Sequence, residues 1–433
     1  MEEHGGFGFD DFSVEIEDFE YKLVKKFDRI FNLGEGGSFL QWPFLYEGRV
    51  YVACLDRNVY CLDGRTGGLV WKFTADGGFA PASPMIDEGI VYIGSYDYNL
   101  YALDARTGGM IWKYHTQGKL AGNATIHGSR VFVGSNDYNM YCLDAKTGEF
   151  IWKFRTQGEV PSKPTFHDGM VLFGSYDRFF YCVDEQSGRL IWKFETQGDV
   201  YNEDDVLIHE GVVYFPSFDN FLRAVDIKTG RMLWKFRTGN YGGMHSGPRM
   251  AGDRLIQVNR EGVMHALTFG GKVIWKFRIN QAMALPMIHD GKIYVGTEDE
   301  NLYCIDLEGN VLWKFKTQGS LWWKPTIWEE KVLFTSHDCN VYCVDINTHQ
   351  LLWKFRGQGA PSYFPPPFDS YELTVKKAAS ESGLEEKATR KRYDFGMSEE
   401  ETTSQYKSKI TYQISTQYAS KGKYQIDSDE EAL

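Results

Sequence analysis

The sequence predicts an all-β protein, an eight-bladed β-propeller of four-stranded antiparallel blades, and three observations support this prediction. A phrase containing a Trp-Lys pair recurs eight times along the chain. The steps between successive tryptophans are 41, 40, 40, 42, 41, 38 and 40 residues, which is the length of one propeller blade. Helical periodicity is absent between residues 38 and 358, where short β-rich segments recur instead. The recurring tryptophans are Trp71, Trp112, Trp152, Trp192, Trp234, Trp275, Trp313 and Trp353.

The second repeat shows the predicted elements in order. Residues 89–95 read as a β-rich strand, and Asp-Tyr-Asn at 97–99 is typical of a tight turn. Residues 100–104 and 110–114 are predicted as the next two strands. The degenerate segment after Gly118 is predicted to supply the fourth strand of the same blade.

The chain divides into four predicted parts. Residues 1–22 form an acidic arm with eight acidic residues against one lysine, within a chain of formal net charge −12. Residues 23–37 are predicted as a seam segment, because residues 21–27 resemble an outer strand. Residues 38–358 form the propeller, and residues 359–433 form a Pro-rich exit and a polar tail. Both ends of the chain are predicted to be flexible, and a solvated tail is the favoured interpretation of residues 359–433. As alternatives, two similar Tyr-Gln-Ile stretches beginning at Tyr412 and Tyr424 form a hairpin or add a strand to a partner.

The string Ala102-Leu103-Asp104-x-x-Thr107-Gly108-x-x-x-Trp112 resembles the tryptophan-docking repeat of quinoprotein-type, PQQ-like propellers. This family includes PQQ-dependent alcohol dehydrogenases and non-catalytic outer-membrane assembly factors of the BamB type. The resemblance covers residues 38–358 and implies that the eight tryptophans stack against neighbouring blades. Because the motif occurs in enzymes and scaffolds alike, the resemblance implies a fold and not an activity.

Cysteine use and the N-terminal residues favour a cytoplasmic location. Five of the seven cysteines occupy the alanine position of the repeat, one per blade, where a small buried side chain is expected. Unpaired buried thiols are typical of a reducing compartment. The chain begins without a secretory signal pattern and contains no apolar run long enough to span a membrane.

The predicted binding surface is the funnel mouth, formed by the loops that precede the inner strand of each blade. Positions that depart from the consensus of the repeat are the best indication of a site in a single sequence. Aromatic residues of these loops are the predicted anchors of a protein partner. The candidate residues are Asn123, Lys163, Tyr201, Glu203, Asp204, His245, Arg249, Trp322, Trp323 and Lys324.

Two functions from different classes remain open at this point. The first is a non-catalytic, monomeric protein-interaction scaffold without a cofactor, a metal site or membrane association. The alternative is a small-ligand or PQQ-binding protein, with a quinoprotein dehydrogenase as the enzyme of this class. In that case Asn123, Glu203 and Asp204 would supply oxygen ligands to calcium, and Trp323 a platform for the quinone. The lysine after each tryptophan predicts a basic outer belt, but the negative net charge argues against nucleic-acid binding.

Overall fold

The computed structural model describes residues 39, 41–79, 82–240, 244, 246–279 and 285–357, together with four short strands in the C-terminal part. All regular structure in these residues is β. Strands β1 to β32 form eight four-stranded antiparallel blades in a ring, which confirms the predicted eight-bladed propeller. No helix in the described part of the chain is long and apolar enough to cross a bilayer.

The strands of each blade run in sequence order from the axis to the outside. The innermost strands are β1 (Phe44–Tyr46), β5 (Met85–Asp87), β9 (Thr125–His127), β13 (Thr165–His167), β17 (Leu207–His209), β21 (Arg249–Ala251), β25 (Met287–His289) and β29 (Thr326–Trp328). The second strands are β2 (Arg49–Ala53), β6 (Ile90–Gly94), β10 (Arg130–Gly134), β14 (Met170–Gly174), β18 (Val212–Pro216), β22 (Arg254–Val258), β26 (Lys292–Gly296) and β30 (Lys331–Thr335).

The third strands are β3 (Asn58–Asp63), β7 (Asn99–Asp104), β11 (Asn139–Asp144), β15 (Phe179–Asp184), β19 (Phe221–Asp226), β23 (Val263–Thr268), β27 (Asn301–Asp306) and β31 (Asn340–Asp345). The outermost strands are β4 (Leu69–Thr74), β8 (Met110–His115), β12 (Phe150–Arg155), β16 (Leu190–Glu195), β20 (Met232–Arg237), β24 (Val273–Arg278), β28 (Val311–Lys316) and β32 (Leu351–Arg356).

The predicted grouping of strands into blades was wrong by one strand. The segment after Gly118 contains β9, which pairs with β10 and therefore belongs to the third blade, not the second. Each blade thus begins with a three-residue strand beside the axis and ends with the strand that carries the tryptophan.

The core lies between blades. All but one of the apolar clusters in the described residues combine two neighbouring blades, such as Tyr51 of the first blade with Val91 and Leu103 of the second. The ring closes in the same manner, because Trp353 of the last blade packs with Val50 and Leu62 of the first. Predicted pairing of residues 21–27 at this seam lies outside the described residues.

Each recurring tryptophan contacts the next blade at a fixed place. The Trp71 indole Nε1 donates to the carbonyl oxygen of Ala105 at 2.9 Å, and equivalent bonds run from Trp152 to Glu185 at 3.0 Å and from Trp192 to Ile227 at 2.8 Å. Trp353 donates to the carbonyl oxygen of Gly64 at 3.1 Å across the seam. A large buried ring with a satisfied donor therefore links successive blades.

A glycine with positive φ lies against most of these indoles. Gly108, at φ +75°, lies on Trp71 so closely that an added Cβ would be 2.6 Å from its ring. In the last blade His349 takes the equivalent turn position at φ 61°, and its ring stacks on Trp313 with centroids 4.7 Å apart. The interface between the seventh and eighth blades therefore has an imidazole ring where the other interfaces have a glycine.

The alanine position of the repeat faces the tryptophan within each sheet. Ala102 is in register with Trp112, and Cys61 with Trp71. All seven cysteines are buried and free. Burial raises the pKa of Cys142 to about 12, which keeps this thiol protonated and inert.

The C-terminal part contains two short antiparallel pairs. Strand β33 (Glu372–Thr374) pairs with β34 (Thr389–Lys391), and β35 (Ile410–Ile414) pairs with β36 (Gly422–Ile426). The second pair joins the two Tyr-Gln-Ile stretches, which is one of the alternatives that the sequence left open. The acidic arm of residues 1–22 lies outside the described residues.

Candidate functional site

The predicted site residues come together at one end of the ring. Each connector between blades returns the chain from an outermost strand to the next innermost strand, so the residues just before the innermost strands lie beside the axis. We call this end of the propeller the connector end. Five of these positions, from different blades, form what we call the axial cluster, which consists of Asn123, Lys163, Asp204, Arg249 and Lys324.

Asp204 is the centre of the axial cluster. Its Oδ1 accepts from Lys163 Nζ at 2.9 Å, and its Oδ2 accepts from Arg249 Nη2 at 2.5 Å and also from Lys324 Nζ. The three cations come from the fourth, sixth and eighth blades, while Asp204 precedes β17 of the fifth. One carboxylate therefore ties together blades that are not neighbours in the ring.

Neighbouring groups extend this network. Lys163 Nζ also contacts Asp205 Oδ2 at 2.8 Å, and Asn123 Nδ2 donates to the Glu203 carbonyl oxygen at 2.6 Å. Asn123 Oδ1 in turn accepts from the backbone N–H of Ser83 in the second blade. The segment 201–205 is thus held from several directions, as expected for a polar segment buried at an axis.

Aromatic side chains form a second wall of the connector end. Trp42, Tyr96, Trp322 and Trp323 pack in one apolar cluster, in which Trp322 and Trp323 are only 3% and 7% exposed. Lys324 Nζ lies 4.6 Å from the Trp42 ring centroid, so this cation also receives a cation–π contact. The axial cluster is therefore continuous with the aromatic wall.

The charges of the axial cluster compensate one another. Burial acts to raise the pKa of Asp204, but Lys163, Lys324 and Arg249 outweigh it and hold this pKa well below the ordinary value. Burial acts in the opposite sense on Lys163, where Asp204 and Asp205 prevail and raise the pKa. Asp204 is consequently an ionised structural partner of these three cations.

A second group of charged residues, partly buried, interacts with Glu203. Burial raises the pKa of Glu203 well above its ordinary value, opposed by the attraction of Arg260. Burial lowers the pKa of Arg260 to about 10 and raises that of Glu298 to about 7. The turns between second and third strands of the sixth and seventh blades supply Arg260 and Glu298, which the sequence analysis did not select as site residues.

The structure places the predicted site residues inside the protein. Tyr201, Glu203, Asp204, Lys163 and Asn123 are all at most 5% exposed. The side chains of Arg249 and Lys324 are 20% and 17% exposed. His245 lies outside the described residues. That these residues contact a partner remains a prediction. The indoles of Trp322 and Trp323 are buried, so a partner at this end would have to contact other groups of the described residues.

The residues that were candidates for calcium do not fit this metal. Asp204 faces three cationic groups, which would repel a divalent cation, and the Asn123 side-chain oxygen is occupied by the Ser83 N–H. In the described ranges, no three His, Cys, Asp or Glu side chains are arranged to hold a metal ion. The donor set required by a calcium-bound quinone is therefore not present at this position.

A surface that the sequence analysis missed lies on the outer wall. In every blade the two residues before the tryptophan are apolar and exposed, from 38% for Ile151 to 52% for Met110. We call these pairs the apolar rim. Its members are Leu69 and Val70, Met110 and Ile111, Phe150 and Ile151, Leu190 and Ile191, Met232 and Leu233, Val273 and Ile274, Val311 and Leu312, and Leu351 and Leu352.

A β-bulge explains why both residues of each pair are exposed. Cys61 pairs with Trp71 and Leu62 pairs with Leu69, so Val70 is an extra residue in the outermost strand. The same shift occurs in the other blades, for example between Cys142 and Leu143. The lysine after each tryptophan is also exposed, which places a positive charge beside each apolar pair. In the sequence, the two residues before every recurring tryptophan are apolar, and this recurrence was the available signal for the apolar rim.

The fold and the buried axial cluster define a propeller whose blades are linked by tryptophans and whose axis is crossed by ion pairs. A family model described as outer membrane protein assembly factor BamB matches residues 25–125, 99–235 and 219–354. The chain belongs to this family, which confirms the resemblance seen in its repeats.

Three solved structures share the fold. BamB from Moraxella catarrhalis is 20% identical with a TM-score of 0.58, and the match covers 71% of this chain and 93% of that one. The computationally designed Ika8 protein is 15% identical with a TM-score of 0.61, covering 70% and 95%. Quinohemoprotein alcohol dehydrogenase from Comamonas testosteroni is 13% identical with a TM-score of 0.59, covering 80% and 78%. Comparison with curated proteins gave no match.

Proposed function

We propose that this protein is a non-catalytic protein-interaction scaffold whose apolar rim binds a protein partner. The observation that carries this proposal is the exposed apolar pair on every outermost strand. Large exposed apolar patches mark interaction sites on soluble proteins, and the recurrence of an exposed apolar pair on all eight outermost strands favours such a site here. The likeness to BamB, an assembly factor, supports the same class of function at the level of the family.

The chemistry of the rim specifies the kind of partner. Apolar side chains are needed opposite pairs such as Ile111 and Met110, and acidic side chains opposite exposed lysines such as Lys113. The bulge before each tryptophan disrupts the free edge of the outermost strand and disfavours the addition of another strand. We therefore infer that the partner binds through apolar and acidic side chains and not by extending a blade.

This proposal moves the contact surface away from the funnel mouth. The predicted aromatic anchors Trp322 and Trp323 are buried against Trp42 and Tyr96, where they stabilise the connector end. The Asp205 side chain, at 50% exposure, is a polar group that remains exposed at the connector end. A cytoplasmic location is part of the proposal, and the buried free thiols support it.

The test uses three neighbouring blades. Full-length protein with Ile111→Ser, Ile151→Ser and Ile191→Ser is compared with a control carrying Lys146→Gln and Glu149→Gln in an exposed turn. Proximity labelling in the native cell should identify a protein that the wild type and the control label, and that the rim variant labels at least 10-fold less. Equal labelling by the rim variant, with both variants folded by circular dichroism, would overturn the proposal.

A direct measurement distinguishes the scaffold from the alternative, a quinone-binding enzyme. Incubation with PQQ and calcium, followed by an absorbance scan and a dye-linked alcohol assay, should give neither a bound chromophore nor activity. This expectation follows from the three cations that surround Asp204. A stoichiometric chromophore would contradict the scaffold proposal.

A further inference from the structure

A second amphipathic pattern occurs in the same chain, in the sequence of the C-terminal hairpin. Ile410 is in register with Ile426, and Tyr412 with Tyr424, in the ladder between β35 and β36. In the sequence of β35, the apolar residues Ile410, Tyr412 and Ile414 alternate with the polar residues Thr411 and Gln413. This period of two is typical of a strand that packs on one side. The sequence therefore predicts one apolar and one polar face for the hairpin.

A two-stranded hairpin of this kind needs a surface to pack on. An isolated hairpin is marginally stable in water, and its apolar face gains free energy only when it is buried. The described propeller surface offers exposed apolar pairs on the rim, such as Leu351 and Leu352. Contact between the hairpin and the rim would remove apolar area of both from water, which is favourable.

The charges on the two sides are complementary. The residues that follow β36 include the acidic Asp427, Asp429, Glu430 and Glu431. Each apolar pair of the rim lies close in sequence to an exposed lysine, such as Lys354 after Trp353. An apolar face followed by acidic residues matches the partner chemistry inferred for the rim.

The length of the intervening chain permits this contact within one molecule. Residues 358–409 separate the last blade from the hairpin, and an extended chain spans about 3.3 Å per residue. A tethered segment also competes at an effective concentration near the millimolar range, far above that of a free copy. Docking within the same molecule is therefore favoured over docking between two copies.

We propose that the C-terminal hairpin, residues 410–426, docks with its acidic extension on the apolar rim of its own propeller and competes with a partner. This inference rests on the proposed function of the rim, because it describes how that surface is regulated. A partner that carries the same apolar and acidic pattern then displaces the hairpin, and the free protein keeps part of its rim out of water.

The experiment measures binding of a labelled synthetic peptide of residues 408–433 to two full-length proteins by fluorescence anisotropy. One protein is the wild type, and the other carries Ile410→Ser, Tyr412→Ser and Ile414→Ser, which remove the apolar face of its own hairpin. The peptide should bind the variant at least 10-fold more tightly than the wild type. A peptide with Tyr412→Ser and Tyr424→Ser is the control and should bind neither protein.

Hydrogen exchange locates the contact. Peptide binding should protect amides of outermost strands in the variant, and 0.5 M salt should weaken binding because lysines contribute. Equal affinity for both proteins, no affinity for either, or protection away from the outermost strands would each overturn the inference. The proposed function is judged separately, since loss of partner labelling on the rim variant does not depend on the hairpin.

Discussion

At the level of single residues, the contact between a glycine and an indole determines how closely two blades approach. Gly108 and Gly89 have the same φ, +75°, but different surroundings. A Cβ at Gly108 would lie 2.6 Å from Trp71, whereas a Cβ at Gly89 would meet nothing within 4 Å. The two positions therefore separate the effect of backbone strain from the effect of a steric clash.

We expect Gly89→Ala to lower the free energy of unfolding by about 1–2 kcal/mol, which is the cost of positive φ in a residue with a Cβ. Gly108→Ala should cost about 1–3 kcal/mol more, because the indole of Trp71 must move out of its packed position. Urea denaturation of both variants measures the difference. Equal midpoints for the two variants would show that the blade interface absorbs the methyl group without loss.

His349 shows that the glycine position tolerates a side chain when that side chain stacks on the tryptophan ring that it meets. Its φ of 61° carries the same kind of strain, while its imidazole packs on Trp313. Sequence comparison of the repeats shows only that the glycine is missing. It does not show that the new ring contributes packing, because stacking depends on a residue of the preceding blade.

At the level of secondary-structure elements, the connectors contain a row of equivalent charged positions. In three successive connectors, a charged residue stands directly before the buried apolar residue of the connector. These charged residues are Lys119, Glu159 and Asp199. Burial raises the pKa of Glu159 to about 7 and that of Asp199 to about 6. Glu159 Oε2 has no hydrogen-bond partner among the described residues, which agrees with the direction of its shift.

Replacing Glu159 with Gln should change the pH dependence of stability. A carboxyl whose folded pKa is raised from 4.5 to about 7 contributes stability below its unfolded pKa and loses it as pH rises through about 7. Glu159→Gln should therefore match the wild type at pH 5 and exceed it at pH 8 by roughly 1 kcal/mol, after allowance for solvent screening.

Thermal unfolding at pH 5 and pH 8 checks this expectation, with Glu149→Gln in an exposed turn as the control. The control should have no pH-dependent effect of comparable size. A destabilised Glu159→Gln protein at pH 8 would mean that attraction to Lys119 outweighs the burial of the carboxylate.

The sequence predicts the number and order of the strands correctly, but it does not show at which strand each blade begins. A forty-residue period is visible because eight tryptophans repeat it. A three-residue strand such as β9 is too short to show alternation, so its membership in the third blade was missed. The bulge before each tryptophan also breaks the alternation, so the pattern does not show that both residues of pairs such as Phe150 and Ile151 are exposed.

The axial cluster was predictable as a set of positions and not as a set of contacts. Each of its residues precedes an innermost strand or begins one, which the repeat alignment indicates. Asp204 and Lys324, however, are separated by 120 residues and meet only because the ring brings the fifth and eighth blades to one axis. No local pattern shows that these polar residues neutralise one another inside the protein.

At the level of the whole molecule, two kinds of contact hold the ring together. Neighbouring blades are joined by apolar clusters and indole hydrogen bonds, including Trp353 with Gly64 at the seam. Blades that are not neighbours are joined through Asp204. The first kind of contact lies between adjacent sheets, and the second lies beside the axis at the connector end, where we expect it to restrain the ring.

Asp204→Asn should therefore destabilise the entire propeller. The substitution leaves Lys163, Arg249 and Lys324 without the carboxylate that they share, and breaking a buried ion pair from one side costs about 3–5 kcal/mol. Asp205→Asn is the matched control, because its side chain is 50% exposed and contacts Lys163 alone. The control should cost at most about 1 kcal/mol.

Denaturant unfolding with hydrogen exchange distinguishes a global effect from a local one. If Asp204 restrains the ring, its replacement should increase exchange in innermost strands of the fourth, sixth and eighth blades together, since these blades supply the three cations. Because the pKa of Asp204 is held low, the wild type should keep this stabilisation at all pH values above the ordinary range of an aspartate and lose it only in stronger acid. Exchange confined to the fifth blade, or equal costs for Asp204→Asn and Asp205→Asn, would show that the ion pairs fix only their own loop.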